Sequence, residues 1–296
     1  MGCNQCPRKC NKERREGDTA SYGYCQVSVR PKVARAALHF WEEPCISGEE
    51  GSGTVFFSGC NLRCVYCQNR EIAAGVRGKE ISVERLAEIF LELQEKGANN
   101  INLVTPSHYY MQIKEALLLV KEKLRIPVIA NTSSYESVEV LREMEGLIDI
   151  YLADYKYASR ELAAKYSHAE DYPQMAAAAL SEMFRQVGEP EFDERGIMKK
   201  GMIIRHLLLP GCLEDSKAVL HFLYDTFGDS VFISIMNQYT PLAHVEKYPE
   251  INRRVTDEEY EEIVDYAIEL GIENGFIQEG ETAEESFIPA FDGEGV

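Results

Sequence analysis

Apolar residues along this chain fall into short solid runs separated by longer stretches in which they recur every three or four positions. The first solid run, 54–58, reads Thr-Val-Phe-Phe-Ser, the pattern of a strand buried on both faces. Helical spacing follows over 82–96, where Ser82 stands ready to cap and Leu86, Ile89, Phe90 and Leu93 share one face. The alternation then predicts strand 100–105, helix 108–124, strand 127–131, helix 135–144, strand 147–153 and helical segments across 159–188. Strand 202–208, helix 215–227, strand 231–235, helix 256–270 and a short strand 275–278 close the series. Solid apolar strands spaced by helices predict right-handed β-α-β units around a parallel sheet, about six of them. Periodicity alone permits a barrel or a doubly wound sheet. The acidic tail from Glu279 reads as extended.

Charge divides the chain. Its 296 residues carry 31 basic and 49 acidic side chains, a net charge of −18, which argues against nucleic acid as a partner. Residues 1–40 are nevertheless at +5, against −23 for the rest, so a cysteine-rich arm at 1–46 is expected to stand apart from a body at 47–296. No run of about 18 apolar residues occurs and the N-terminus lacks the features of a secretory signal, so no membrane span and a cytoplasmic location are expected. Nine cysteines in such a setting point to metal ligands or redox chemistry rather than disulfides.

Seven of them form two sets. Cys60, Cys64 and Cys67 stand in a C-x3-C-x2-C spacing immediately after the first predicted strand. Three thiolates at that spacing suit one corner of a cuboidal iron–sulfur cluster, and the missing fourth cysteine leaves one iron open to a chelating ligand. A structural zinc borrowing a distant ligand, or plain core cysteines, are the alternatives. Cys3, Cys6, Cys10 and Cys25 make the second set, suited to a closed zinc site or a fully ligated auxiliary cluster. Cys45 and Cys212 read as single core or loop thiols.

The segment Gly59-Cys60-Asn61-Leu62-Arg63-Cys64-Val65-Tyr66-Cys67-Gln68-Asn69 resembles the hallmark of the radical S-adenosylmethionine (SAM) superfamily, and closely its pyruvate formate-lyase activating enzyme branch. The strings His39-x-Trp41-Glu42-Glu43-Pro44, Ile150 to Tyr157, Arg205 to Gly211 and the terminal Phe291-Asp292 to Gly295-Val296 are similar to an activating-enzyme-like subgroup. The resemblance implies an α/β fold, a partial (β/α)6 barrel of the radical SAM type with a cysteine-rich N-terminal extension. It implies a 4Fe-4S cluster on Cys60, Cys64 and Cys67 that reductively cleaves SAM to a 5′-deoxyadenosyl radical, which abstracts hydrogen from a substrate. That substrate is a glycyl radical enzyme in the activating branch; a peptide or small metabolite is the alternative, and a non-catalytic electron carrier the rival of another class. A flavodoxin or ferredoxin electron donor is implied as well.

Ligand contacts in such a barrel come from the C-terminal ends of strands. Asn131 and Thr132 stand where activating enzymes carry an Asp-Thr-Asn-Gly string, and Asp154-x-Lys156 matches their Asp-x-Lys string beside the cofactor. Thr105, Arg205 and His206 at neighbouring strand ends, and the aromatic Tyr66 before the third cysteine, complete the expected SAM contacts. Two departures stand out: Asn102 to His108 replaces a Gly-Gly-Glu string, and Glu49 to Thr54 replaces an Asp-Gly-Pro-Gly-x-Arg string.

Overall fold

The computed structural model describes residues 2–277 and 289–296. Among the described residues, ten strands make a single sheet: β1 Lys32–His39, β2 Ser52–Phe57, β3 Lys79–Glu80, β4 Ile101–Val104, β5 Val128–Thr132, β6 Ile150–Asp154, β7 Glu191–Phe192, β8 Met198–Leu207, β9 Phe232–Met236 and β10 Gly275–Ile277. Their order is β10-β9-β8-β6-β5-β4-β2-β1-β3, with β7 paired to β8. All neighbours from β2 to β10 along this path run parallel, while β1 and β3 are antiparallel additions at one edge. Because β10 and β3 do not pair, the sheet curls without closing. The expected partial barrel is the architecture of the molecule.

The crossovers are helical: α1 Pro44–Ser47, α2 Arg70–Ala73, α3 Val83–Glu95, α4 Tyr110–Val120, α5 Val138–Glu143, α6 Arg160–Ser167, α7 Tyr172–Val187, α8 Leu213–Phe227 and α9 Asp257–Leu270. Their starts follow local chemistry. Ser82 accepts from the Arg85 amide at the head of α3, and Thr256 with Glu259 forms a capping box on α9.

Strand residues alternate between two apolar layers, as the pleat requires. Val55, Phe57, Leu103, Ala130, Tyr151, Ala153 and Ile204 face the helices in one large core. Ile129, Ile150, Leu152 and Ile203 face the concave side, where Cys45 and Ile46 of α1 pack against them. The segment 42–47 therefore fills the barrel from within. Asn99 and Asn100 hold it there, donating to the carbonyls of Ser47 and Ile46 at 2.8 Å each.

The sequence pattern misses β1. Its Lys32-Val-Ala-Arg-Ala-Ala-Leu-His39 string is interrupted by Arg35, yet Val33, Ala34, Ala36 and Ala37 are buried. The strand pairs with β2 across the boundary expected between the arm and the body. Arg35 is accommodated at the edge by Asp292 at 3.1 Å and by Glu294, so residues 289–296 strap onto β1 rather than trailing away. The expected tail from Glu279 lies for the most part outside the described residues. Among the described residues, no helix is long and apolar enough to cross a membrane.

Candidate active site

The cysteine loop leaves the C-terminal end of β2 through Gly59. Its φ is +86°, and a Cβ there would stand 2.6 Å from the Cys25 carbonyl oxygen and 2.7 Å from Val27. Only glycine fits between β2 and the arm. The chain then folds around the first sulfur: the amides of Leu62 and Arg63 both donate to Cys60 Sγ at 3.4 Å, with Arg63 in the left-handed region at φ +60°. Ser167, the last residue of α6, donates its hydroxyl to Cys64 Sγ at 3.0 Å. Gln68 anchors the far side of the loop to the Gln238 carbonyl at 3.0 Å.

Burial pushes the Cys60 thiol up, and pushes Cys67 up to about 12, with the charge of Cys64 adding to both. Such thiols ionise only when a cation compensates. Two amide donors on one sulfur and three cysteines on a seven-position spacing suit the anionic sulfurs of an iron–sulfur cluster. Among the described residues, no three His, Cys, Asp or Glu side chains converge as ligands of a single ion would.

The arm is docked onto this loop. Arg8 donates to the Asn61 carbonyl at 2.8 Å and to the Ser167 carbonyl at 3.2 Å, with its guanidinium 4.0 Å from the centre of the Tyr24 ring. Arg14 donates to the His108 carbonyl at 2.9 Å. Cys6 and Cys25 are buried, while Cys3 and Cys10 are half-buried. Burial pushes Cys6 up to about 12, with added repulsion from Cys25 and Cys3, and Cys25 is raised by burial with Cys3 and Cys10 nearby. Among the described residues, no three of these thiols converge as ligands of a single ion would.

The strand ends carry a network of charges. Asp154 and Arg205 are register partners on β6 and β8, and Arg205 Nε donates to Asp154 Oδ1 at 2.9 Å. Lys156 Nζ holds the other oxygen, Oδ2, at 2.7 Å. Arg205 also donates to Asn131 Oδ1 at 2.7 Å and to Glu42 Oε2 at 3.2 Å. Asn102 and Asn131 both donate to Glu42 Oε1, at 3.1 and 3.2 Å. Burial alone would raise Asp154, but the Lys156 and Arg205 cations outweigh it and hold the carboxyl below its ordinary value. Glu42 and Glu43 go the other way: burial raises both, against the pull of Arg205.

The structure thus brings Asn131, Asp154, Lys156 and Arg205 together and separates Thr132 and His206 from them. His206 is 1% exposed, with Nδ1 at 2.8 Å from the Tyr155 carbonyl and Nε2 at 2.8 Å from Ser216 Oγ. Burial lowers it to about 4, so it is a neutral, fully partnered histidine on the helix side. Thr132 donates to the buried Glu136 on that side. Thr105 closes β4 in the left-handed region, φ +60°, its amide bonded to the Asn131 carbonyl at 2.9 Å. A β-branched residue there stores strain, of the order of 1–3 kcal/mol. Tyr66 is buried with its hydroxyl 2.7 Å from that of Tyr157. Cys45 packs in the inner apolar layer, and Cys212 precedes α8.

Three groups escape the sequence reading. Glu42 and Glu43 appear there only within a string of resemblance, and their place among strand-end side chains depends on contacts up to 163 positions away. Glu136 carries no periodic signal at all. The link between the loop and the network is Lys156, whose positive charge favours the ionised form of Cys60 and of Cys67 and is itself favoured by Cys64.

Beside the loop lies a cavity of ≈ 550 Å³ lined by Arg63, Cys64, Cys67, Arg70, Glu246 and Lys247, among others.

Residues 54–185 match the family model described as the Radical SAM superfamily. An uncharacterized protein of Methanocaldococcus jannaschii is 27% identical over 274 residues, which cover 90% of this chain and 74% of that relative. A crystal structure of methylornithine synthase superposes with a TM-score of 0.50 at 14% identity, covering 82% of this chain and 72% of that one, a likeness of fold. Streptococcus suis SuiB, solved with its precursor peptide SuiA, matches 74% of this chain at 16% identity and a TM-score of 0.47; this chain spans 46% of its length.

Proposed function

We propose that this chain is a radical SAM enzyme that abstracts hydrogen from a bound substrate, with activation of a glycyl radical enzyme as the leading reaction. The observation that carries the reading is that the three-cysteine loop and the Lys156–Asp154–Arg205 network stand at the C-terminal ends of strands of one parallel sheet, β2, β6 and β8. When bound, a 4Fe-4S cluster and SAM supply one-electron cleavage of the sulfonium and a carbon-centred hydrogen acceptor.

The chain's own residues hold and orient. Cys60, Cys64 and Cys67 are the cluster ligands, and the Leu62 and Arg63 amides offset charge on Cys60. Asp154, Lys156, Arg205 and Asn131 form a polar clamp for hydroxyls, carboxylate and sulfonium, with Thr105 at its rim. Glu42, held by Arg205, Asn102 and Asn131, closes the concave side beneath them. The activating role draws support from the residue strings shared with that branch, against the departures at Glu49 to Thr54 and Asn102 to His108; modification of a peptide or small metabolite is the alternative substrate class.

Cys3, Cys6, Cys10 and Cys25 belong to the proposal as a second site, for zinc or an auxiliary cluster; the burial of Cys6 and Cys25 supports it. An acidic electron carrier of the flavodoxin or ferredoxin type would dock over the mouth of the cavity, where Arg63, Arg70 and Lys247 outnumber Glu246 beside Cys64 and Cys67 on a chain of net charge −18.

The test is anaerobic reconstitution followed by reduction with SAM present. The wild type should form 5′-deoxyadenosine, and a Cys60→Ala, Cys64→Ala, Cys67→Ala triple variant should not. A reconstituted, reducible cluster that yields no 5′-deoxyadenosine would put a non-catalytic electron carrier in front. A glycyl radical signal on an added glycyl radical enzyme separates activation from the alternative substrates.

A further inference from the structure

Ser167 Oγ lies 3.0 Å from Cys64 Sγ and 2.8 Å from the Tyr157 hydroxyl, which lies 2.7 Å from the Tyr66 hydroxyl. The three hydroxyls come from the end of α6, the loop after β6 and the cysteine loop itself. All three residues are buried, at 0%, 1% and 7% exposed for Ser167, Tyr157 and Tyr66. Because Tyr66 directly precedes Cys67, the row starts beside one cysteine and ends on another.

Each hydroxyl has one proton to give. A Cys64 sulfur bound to iron is a thiolate with none, so the Ser167 proton must point at Sγ. Ser167 is then an acceptor toward Tyr157, whose hydroxyl also stands as donor to Tyr66. Proton counting therefore aims the Ser167 dipole at the sulfur, with the Tyr157 proton shared between Ser167 and Tyr66 behind it. Hydrogen bonds aligned in series in a buried setting reinforce one another.

We infer that this hydroxyl row tunes the reduction potential of the cluster held by Cys60, Cys64 and Cys67, with Ser167 as the residue that acts on the sulfur; the inference rests on the cluster assignment above. Reduction adds negative charge to the cluster and its sulfurs. A donor aimed at one of them stabilises the reduced state and raises the potential. Deleting the hydroxyl makes the cluster harder to reduce. The three residues are positioning groups in this role, since none needs to touch substrate.

The test is the midpoint potential of the reconstituted cluster, followed by paramagnetic resonance, in Ser167→Ala, Tyr157→Phe and Tyr66→Phe. Ser167→Ala should lower the reduced-to-oxidised ratio at fixed potential on the order of tenfold, which is about 59 mV for one electron. Tyr157→Phe should shift it in the same direction by less, and Tyr66→Phe should have the smallest effect, since each lies one bond further from the sulfur. Ser167→Thr keeps a hydroxyl and should restore the wild-type potential, which separates the hydrogen bond from packing. A wild-type potential in Ser167→Ala with its cluster intact overturns the inference and leaves the cluster assignment standing. Failure of the wild type to assemble a cluster overturns both.

Discussion

Adjacent residues at the strand ends live in opposite surroundings. Asn131, Asp154 and Arg205 face the concave side of the sheet; Thr132 and His206, one position on, face the helices. On the concave side the groups are charged and only partly covered: the side chains of Glu42, Arg205, Lys156 and Asp154 are 10, 14, 15 and 16% exposed. On the helix side they are sealed, with Thr132 and His206 at 2% and 1%. Both sides are polar, so polarity at a strand end does not mark a ligand site. What marks it is parity within the strand, together with charges that solvent and a ligand can still reach.

The comparison breaks hardest at Arg205. It faces Asp154 and Glu42 at once, with Glu43 adding to its stabilisation. Arg205→Leu leaves these buried carboxylates without their cation and should cost about 3–5 kcal/mol by urea unfolding of the metal-free protein. A loss below about 1 kcal/mol would mean that the network is solvated rather than buried.

Next in size is a pH effect on the helix side. Burial raises Glu136 to about 7 from an ordinary 4.5, although Ser107 and Thr132 donate to it. A raised carboxyl favours the fold while protonated, so this contribution is whole below pH 4.5. It is lost as pH rises from about 4.5 through 7, by ~3 kcal/mol in all. Glu136→Gln should abolish this slope and leave the variant more stable than wild type at pH 8. Parallel stability profiles for the two proteins would place Glu136 in solvent.

Asp154→Asn sharpens the concave side as a binding surface. It keeps the shape and removes the charge that holds both Lys156 and Arg205. SAM affinity of the reconstituted protein should fall by roughly ten- to a hundredfold, or about 1.5–3 kcal/mol. Unaltered titration calorimetry would move the clamp elsewhere.

The smallest effect belongs to His206. His206→Gln should cost about 1 kcal/mol of stability through the bonds to Tyr155 and Ser216. SAM affinity should stay at the wild-type value. A tenfold loss of affinity would erase the distinction between the two sides.

The alternation of strands and helices was legible because strands buried on both faces are solid apolar runs, as in Ser52–Phe57 with every position covered. Strand β1 was not, because Arg35 is paid for by acidic residues of the C-terminal strap, a partnership more than 250 positions distant. The three-cysteine loop could be read from spacing, since its geometry is local. The pairing of Thr132 and His206 with helix-side groups could have been anticipated from period-two alternation against Ala130 and Ile204, which face the large core. The approach of Glu42 to Arg205 could not, because no local rule reaches across 163 positions.

That separation also bears on how the molecule is made. The segment 42–47 is synthesised before β2, yet its partners Ile129, Ile150, Leu152 and Ile203 all come later. At about 5–20 residues per second, Arg205 follows Glu42 from the ribosome by roughly 10–30 s. During that interval the walls of the Cys45 thiol, 8% exposed in the finished fold, arrive one strand at a time, Ile203 last. The inner layer is therefore a late step of assembly, closed by contacts of high sequence separation, and the nascent chain carries a partly open thiol and a Glu42 without its Arg205 cation until β8 arrives.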